Sequence, residues 1–130
     1  MKLNIKNETG RLKSVVLGQP KSIGPVPTLE ESYDAKSYYS IENGIYPKEE
    51  DIIAEMTAFE KVLKKYDVEV FRPNIIKDYN QVFARDVAFV IEDKMIISNV
   101  IKDRADEQEA YRKIFEKVEW RKIINLPETA

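Results

Sequence analysis

A carboxamide, a guanidinium and a carboxylate lie close together in Asn80-Gln81-Val82-Phe83-Ala84-Arg85-Asp86. Directly after them comes an apolar run, Val87-Ala88-Phe89-Val90-Ile91, which reads as a buried strand. Polar groups delivered to the mouth of such a strand are costly unless they are paired or used. Asp86, held by a rigid element, is well placed to grip a planar cation such as a guanidinium, whose donors match a carboxylate two at a time. Arg104 offers the converse, a fork for a ligand carboxylate. An arginine near a helix start opposes the helix dipole, which leans toward function. Asn80 falls in the turn before the strand, where Asn is also a common turn residue. Each residue has a plainer reading. Asp86 can pair internally with Arg85, Lys94 or Arg104. Arg104 can be a solvated surface arginine, and Asn80 has a role only if Asp86 has one.

The residues that are missing narrow the chemistry further. The chain has no His and no Cys, which removes most general-base, thiol-nucleophile and zinc options. No glycine-rich phosphate loop is present and no ordered set of acids offers a metal site, so neither cofactor nor metal is expected. No catalytic residue is assigned within the chain. Asp106, Glu107, Glu109, Arg112, Lys113, Glu116 and Lys117 read as the solvated face of a helix, with Glu109/Lys113 and Arg112/Glu116 as supporting pairs. A formal charge of −2 leaves no electrostatic footprint for nucleic acid or anionic lipid. No apolar run approaches the ~20 residues needed to span a bilayer. The N-terminus lacks the apolar segment of a signal peptide, and a cytoplasmic location is the expectation.

The elements that must hold these residues follow from periodicity and breakers. The 130 residues suffice for one domain with a modest core. Residues 12–18 read as a strand closed by Gly18-Gln19-Pro20. Residues 20–47 carry four prolines and two glycines and read as a long irregular loop. That loop holds Tyr33, Tyr38, Tyr39 and Tyr46. It either packs its own aromatics onto the domain or serves as a lid or partner surface. A helix is predicted over 48–66, with Ile52, Ile53, Met56, Phe59, Val62 and Leu63 at helical spacing. A strand over 68–71 stops at Arg72-Pro73. In the second half, 87–91 and 95–98 form a hairpin around Glu92-Asp93-Lys94, 105–118 is helical, and 120–126 is a strand ended by Pro127.

The two halves match. Ala58-Phe59-Glu60-Lys61-Val62-Leu63 aligns with Ala110-Tyr111-Arg112-Lys113-Ile114-Phe115, and each copy continues through a short strand to a proline. One supersecondary unit used twice is implied. The modules span roughly 10–73 and 80–127. Two arrangements fit this order: modules of a larger ring, or a ferredoxin-like α+β sandwich with one four-stranded sheet.

The residues quoted above, together with Arg104 and Glu109-Ala110-Tyr111-Arg112, resemble the guanidino-group-modifying enzymes: arginine deiminases, dimethylarginine hydrolases and, most closely, amidinotransferases. Arg11-Leu12-Lys13-Ser14-Val15-Val16-Leu17-Gly18-Gln19-Pro20 is similar to their opening strand. The resemblance implies an α/β propeller of the pentein type, of which this chain supplies about two ββαβ-type modules out of five. It implies that Asp86 binds a substrate guanidinium, that Arg104 holds a substrate carboxylate, and that Asn80 lines the same pocket. The family's chemistry uses a Cys nucleophile and a proton-transferring His, both absent here. The chain is therefore read as an N-terminal portion that is inactive alone, with a small guanidino substrate and, as one option, a second copy as partners. The alternative is a complete non-catalytic binding module that uses the tyrosine-rich loop.

Overall fold

A computed structural model describes residues 1–32 and 34–128; Tyr33 of the tyrosine-rich loop and the terminal Thr129 and Ala130 lie outside the described residues. In chain order the elements are β1 (Ser14–Val16), α1 (Ala35–Glu42), α2 (Glu49–Lys65), β2 (Glu69–Phe71), β3 (Ala88–Ile91), β4 (Lys94–Ile97), α3 (Asp106–Ala110), α4 (Arg112–Phe115) and β5 (Ile123–Asn125). Short 3₁₀ turns occupy Ala84–Asp86, Lys102–Arg104 and Trp120–Lys122.

The strands form two small sheets. β1 runs parallel to β2 with Val15 opposite Val70. β3 pairs antiparallel with β4, and β4 runs parallel to β5 with Ile96 opposite Ile124. A helix between two parallel strands thus occurs twice, as β1-α2-β2 and as β4-α3-α4-β5. The pairing makes β4, rather than the strand that follows Asp86, the counterpart of β1. Among the described residues there is no continuous four-stranded sheet of the ferredoxin-like kind.

Helix α2 forms where its signals place it. Glu49, Glu50 and Asp51 lie in its first turn and Lys64 and Lys65 in its last, matching the dipole at both ends. The 20–47 segment is not wholly irregular, because α1 lies within it. Asp34 caps α1, its Oδ1 accepting from the Ser37 N–H at 2.8 Å and its Oδ2 from the Ser37 hydroxyl at 2.6 Å. These bonds hold the Asp34 carboxyl below the ordinary carboxylate range. The prolines on either side masked a short helix that contains neither Pro nor Gly. The 105–118 helix breaks at Tyr111, where φ −91° and ψ 0° end α3 and restart the chain as α4. There the Tyr111 ring stacks on Phe115, centroids 5.9 Å apart. Residues 120–122 form a turn, and only Ile123–Asn125 is a strand.

The apolar run after Asp86 is not a fully buried strand. Val87 is buried, but β3 alternates, with Phe89 and Ile91 exposed, because only the Ala88 and Val90 face packs on the core. One core cluster joins Val87, Ala110, Tyr111 and Ile114, and Val16 and Phe71 pack on it from the first sheet. A second joins Leu3, Met95 and Val118. Helix α2 contributes no fully buried residue. No helix among the described residues is long and apolar enough to cross a membrane.

Candidate functional site

The segment that carries Asn80 and Asp86 is anchored from beneath. Gln81 is fully buried, its amide donating to the Asn74 carbonyl at 2.8 Å and its side-chain oxygen accepting from the Ile76 N–H at 2.8 Å. Its own carbonyl accepts from the Gln19 N–H at 2.9 Å, and the Gln19 side chain donates to the Pro73 carbonyl at 2.7 Å. Gly18 permits this approach: a Cβ there would overlap the Gln81 and Val82 carbonyls. Arg72 closes the other side, bonding both the Gly18 carbonyl and Glu60. The 3₁₀ turn Ala84–Asp86 then presents Asp86 at the end of β3.

Asp86 is paired internally, and the partner is Arg104. Arg104 Nη1 donates to Asp86 Oδ2 at 2.7 Å. Three of its four other donors are also engaged. Nε meets Glu107 Oε2 at 2.5 Å, Nη2 meets Glu107 Oε1 at 3.2 Å, and Nη2 reaches the Phe83 carbonyl at 3.4 Å. Glu107 is 0 % exposed, Arg104 18 % and Asp86 46 % in their side chains. The Glu107 hydrogen bonds push the Arg104 pKa up, burial opposes them, and Asp86 adds to the rise. At Tyr111 burial works in the opposite sense and raises the phenol, with the Glu107 charge adding to the rise. Among the described residues the Tyr111 hydroxyl is buried without a hydrogen-bond partner.

Glu107 is not on a solvated face. It turns inward and forms a two-point fork with Arg104, three residues before it. Of the expected surface pairs, the structure instead contains Glu109 with Arg112, at 2.7 Å. The Arg104/Glu107 spacing is a readable signal for such a fork, whereas nothing in the sequence distinguishes Gln81 as a buried anchor.

Asn80, Asp86 and Arg104 line one cavity of about 620 Å³. Asn80 Oδ1 accepts from the Val82 N–H at 3.2 Å, so the residue also shapes its own turn. Tyr46, Phe83 and Ile101 supply apolar wall, and Glu31, Asp34 and Asp78 add acids. Arg85 lies elsewhere, on an apolar cavity of about 350 Å³ beside Tyr111 and Phe115. Tyr38 and Tyr39 are exposed on α1, away from this lining.

The three-residue charge balance is simple. Asp86 and Glu107 carry two negative charges and Arg104 one positive, so the trio keeps a net charge of −1. With Glu107 sealed inside, that charge is expressed toward the cavity at Asp86, whose Oδ1 is left to accept from a ligand.

No protein-family model and no curated protein matches the chain. A solved structure does: SxtG, an amidinotransferase from Microseira wollei in the saxitoxin biosynthetic pathway, superposes with a TM-score of 0.65 at 19 % identity. The match covers 98 % of this chain and 42 % of that one, so the chain spans less than half the length of its structural neighbour. These residues are therefore similar in fold to that stretch of the neighbour.

Proposed function

We propose that the cavity at Asn80, Asp86 and Arg104 binds the guanidinium of a small substrate, and that residues 1–130 form part of an amidinotransferase-like enzyme. The observation that carries the reading is the convergence of those three residues on one cavity, in a chain similar in fold to an amidinotransferase. Asp86 grips the guanidinium through the oxygen that Arg104 leaves unused. Asn80 lines the pocket beside it. Arg104 holds Asp86 in place, and its own charge is largely met by Glu107.

The chemistry needs a nucleophile on the guanidinium carbon and a proton carrier for the leaving amine. A Cys and a His in those roles lie outside these residues. Attack gives a covalent amidino-enzyme, which an acceptor amine resolves by transfer and water by hydrolysis. The two modules, roughly 10–73 and 80–127, belong to a five-module ring of the pentein type. Surface area supports a larger body. The chain exposes 9746 Å². A compact monomer of its 15.1 kDa exposes about 7,100 Å².

The test is a titration of the labelled chain with methylguanidinium, followed by amide chemical shifts. Shifts at Asn80, Asp86 and Arg104 that vanish in Asp86→Asn are the expected result. Unchanged affinity in Asp86→Asn would sink the assignment.

A further inference from the structure

We infer that Glu107 sets the cation affinity of the guanidinium site without lining it. It acts through Arg104, as a positioning residue: it takes one edge of the arginine fork and meets its charge, and so keeps Asp86 open to a ligand cation. The inference rests on the guanidinium reading above and goes beyond it to what keeps the site open.

An arginine beside Asp86 is an obstacle to binding a second guanidinium there. A guanidinium and a carboxylate left to themselves pair at two points, which occupies both oxygens and cancels the charge. Here the contact is single. Arg104 Nη1 meets Asp86 Oδ2 at 2.7 Å, and Asp86 Oδ1 takes none of the arginine donors. A second bond to Asp86 needs Nη2 beside Nη1, and Nη2 is committed elsewhere. One of its bonds goes to Glu107 Oε1 at 3.2 Å and the other to the Phe83 carbonyl at 3.4 Å. Nε completes the hold on Glu107 at 2.5 Å.

The burial of Glu107 makes that hold firm. Its side chain is 0 % exposed and is not part of the cavity lining. It is sealed by this chain's own residues, so its grip on Arg104 is independent of what covers the cavity from outside. A carboxylate buried to this degree depends strongly on its partner. The Glu107 bonds are also the largest cause of the rise in the Arg104 pKa, ahead of those from Asp86. One helical turn on, the Tyr111 hydroxyl is buried without a hydrogen-bond partner, while both Glu107 oxygens are directed at Arg104.

Charge arithmetic turns this geometry into a test. With Glu107 in place the trio carries −1, expressed at Asp86. Glu107→Gln removes one negative charge and one acceptor. Nη2 is released, Arg104 turns its free edge to Asp86, and the trio becomes neutral. Adding Arg104→Gln removes the competing cation as well, which leaves Asp86 alone and the total again at −1. The double variant therefore recovers what the single variant loses. A residue that only filled space in the core gives the opposite order, since two changes disturb packing more than one.

The experiment titrates methylguanidinium into the native chain, Glu107→Gln and the double variant, followed by amide chemical shifts. The expected loss in Glu107→Gln is about tenfold in affinity, and the double variant returns to within about threefold of native. A loss under about threefold in Glu107→Gln, with binding still abolished in Asp86→Asn, overturns the inference and leaves the site standing. A double variant that binds no better than the single one also overturns it. If one variant does not fold, the other is compared with the native chain under the same limits. Loss of the folded spectrum in both overturns the inference, because the role is then to hold the core. Failure of methylguanidinium to bind the native chain overturns the site and the inference together.

Discussion

At the scale of single residues, the decisive contact is the one between Arg104 and Glu107. It ties two donors of Arg104 to a buried carboxylate, and it leaves Asp86 as the most exposed member of the trio. Glu107→Ala would strip the buried partner from Arg104 and leave a cavity beside Tyr111. We expect a loss of about 3 kcal/mol in urea denaturation, the scale of breaking a buried pair from one side. Glu107→Gln, which keeps one acceptor, should lose less. A loss under about 1 kcal/mol in Glu107→Ala would mean that the fork contributes little. Asp86 and Arg104 stand out in the sequence as charges beside a core. Their mutual pairing was one of three options that spacing alone left open, because a spacing of 18 residues across a hairpin does not specify a distance.

At the scale of elements, the site depends on a loop being held rather than on a strand being buried. Gly18 lets the chain after β1 press against the carbonyls of Gln81 and Val82. Gly18→Ala should push the 80–86 segment outward, at a cost on the order of 1–3 kcal/mol for overpacking. Hydrogen exchange at the Gln19 amide, which bonds the Gln81 carbonyl, would report it directly through a large loss of protection. Unchanged exchange would show that the contact is dispensable. The long helix α2 and the β3-β4 hairpin are legible from periodicity and end signals, since both are set by local chemistry. The cap on α1 was hidden by the prolines around it. The break at Tyr111 carries no local signal, because a large ring packing inward is a tertiary event.

At the scale of the whole molecule, the chain exposes more surface than its mass predicts, and the excess is partly apolar. Trp120 is 77 % exposed, and Phe59 and Val62 of α2 stand open with Ile124 of β5. Such faces suit the packing against further protein that the proposed ring would provide. The same view leads to a chemical prediction. Incubated with arginine, dimethylarginine or arginine plus glycine, the purified chain should release no citrulline, ornithine or guanidinoacetate above a buffer control. A resonance-stabilised guanidinium carbon needs a strong nucleophile and a proton carrier, and the 130 residues contain neither thiol nor imidazole. Turnover that survives repurification and disappears in Asp86→Ala would refute this.

The amino-acid sequence by itself determined the local elements, the repeat of a helix between strands, the missing thiol and imidazole, and the three residues that meet at the cavity. These follow from propensity, periodicity and composition, which act over a few residues or none. The tertiary structure alone decided that β4 rather than β3 matches β1, that Glu107 turns inward, and that Gln81 anchors the loop beneath Asp86. Each of these depends on which groups meet across long separations, where burial changes the energy of a charge or an amide far more than its neighbours in sequence do.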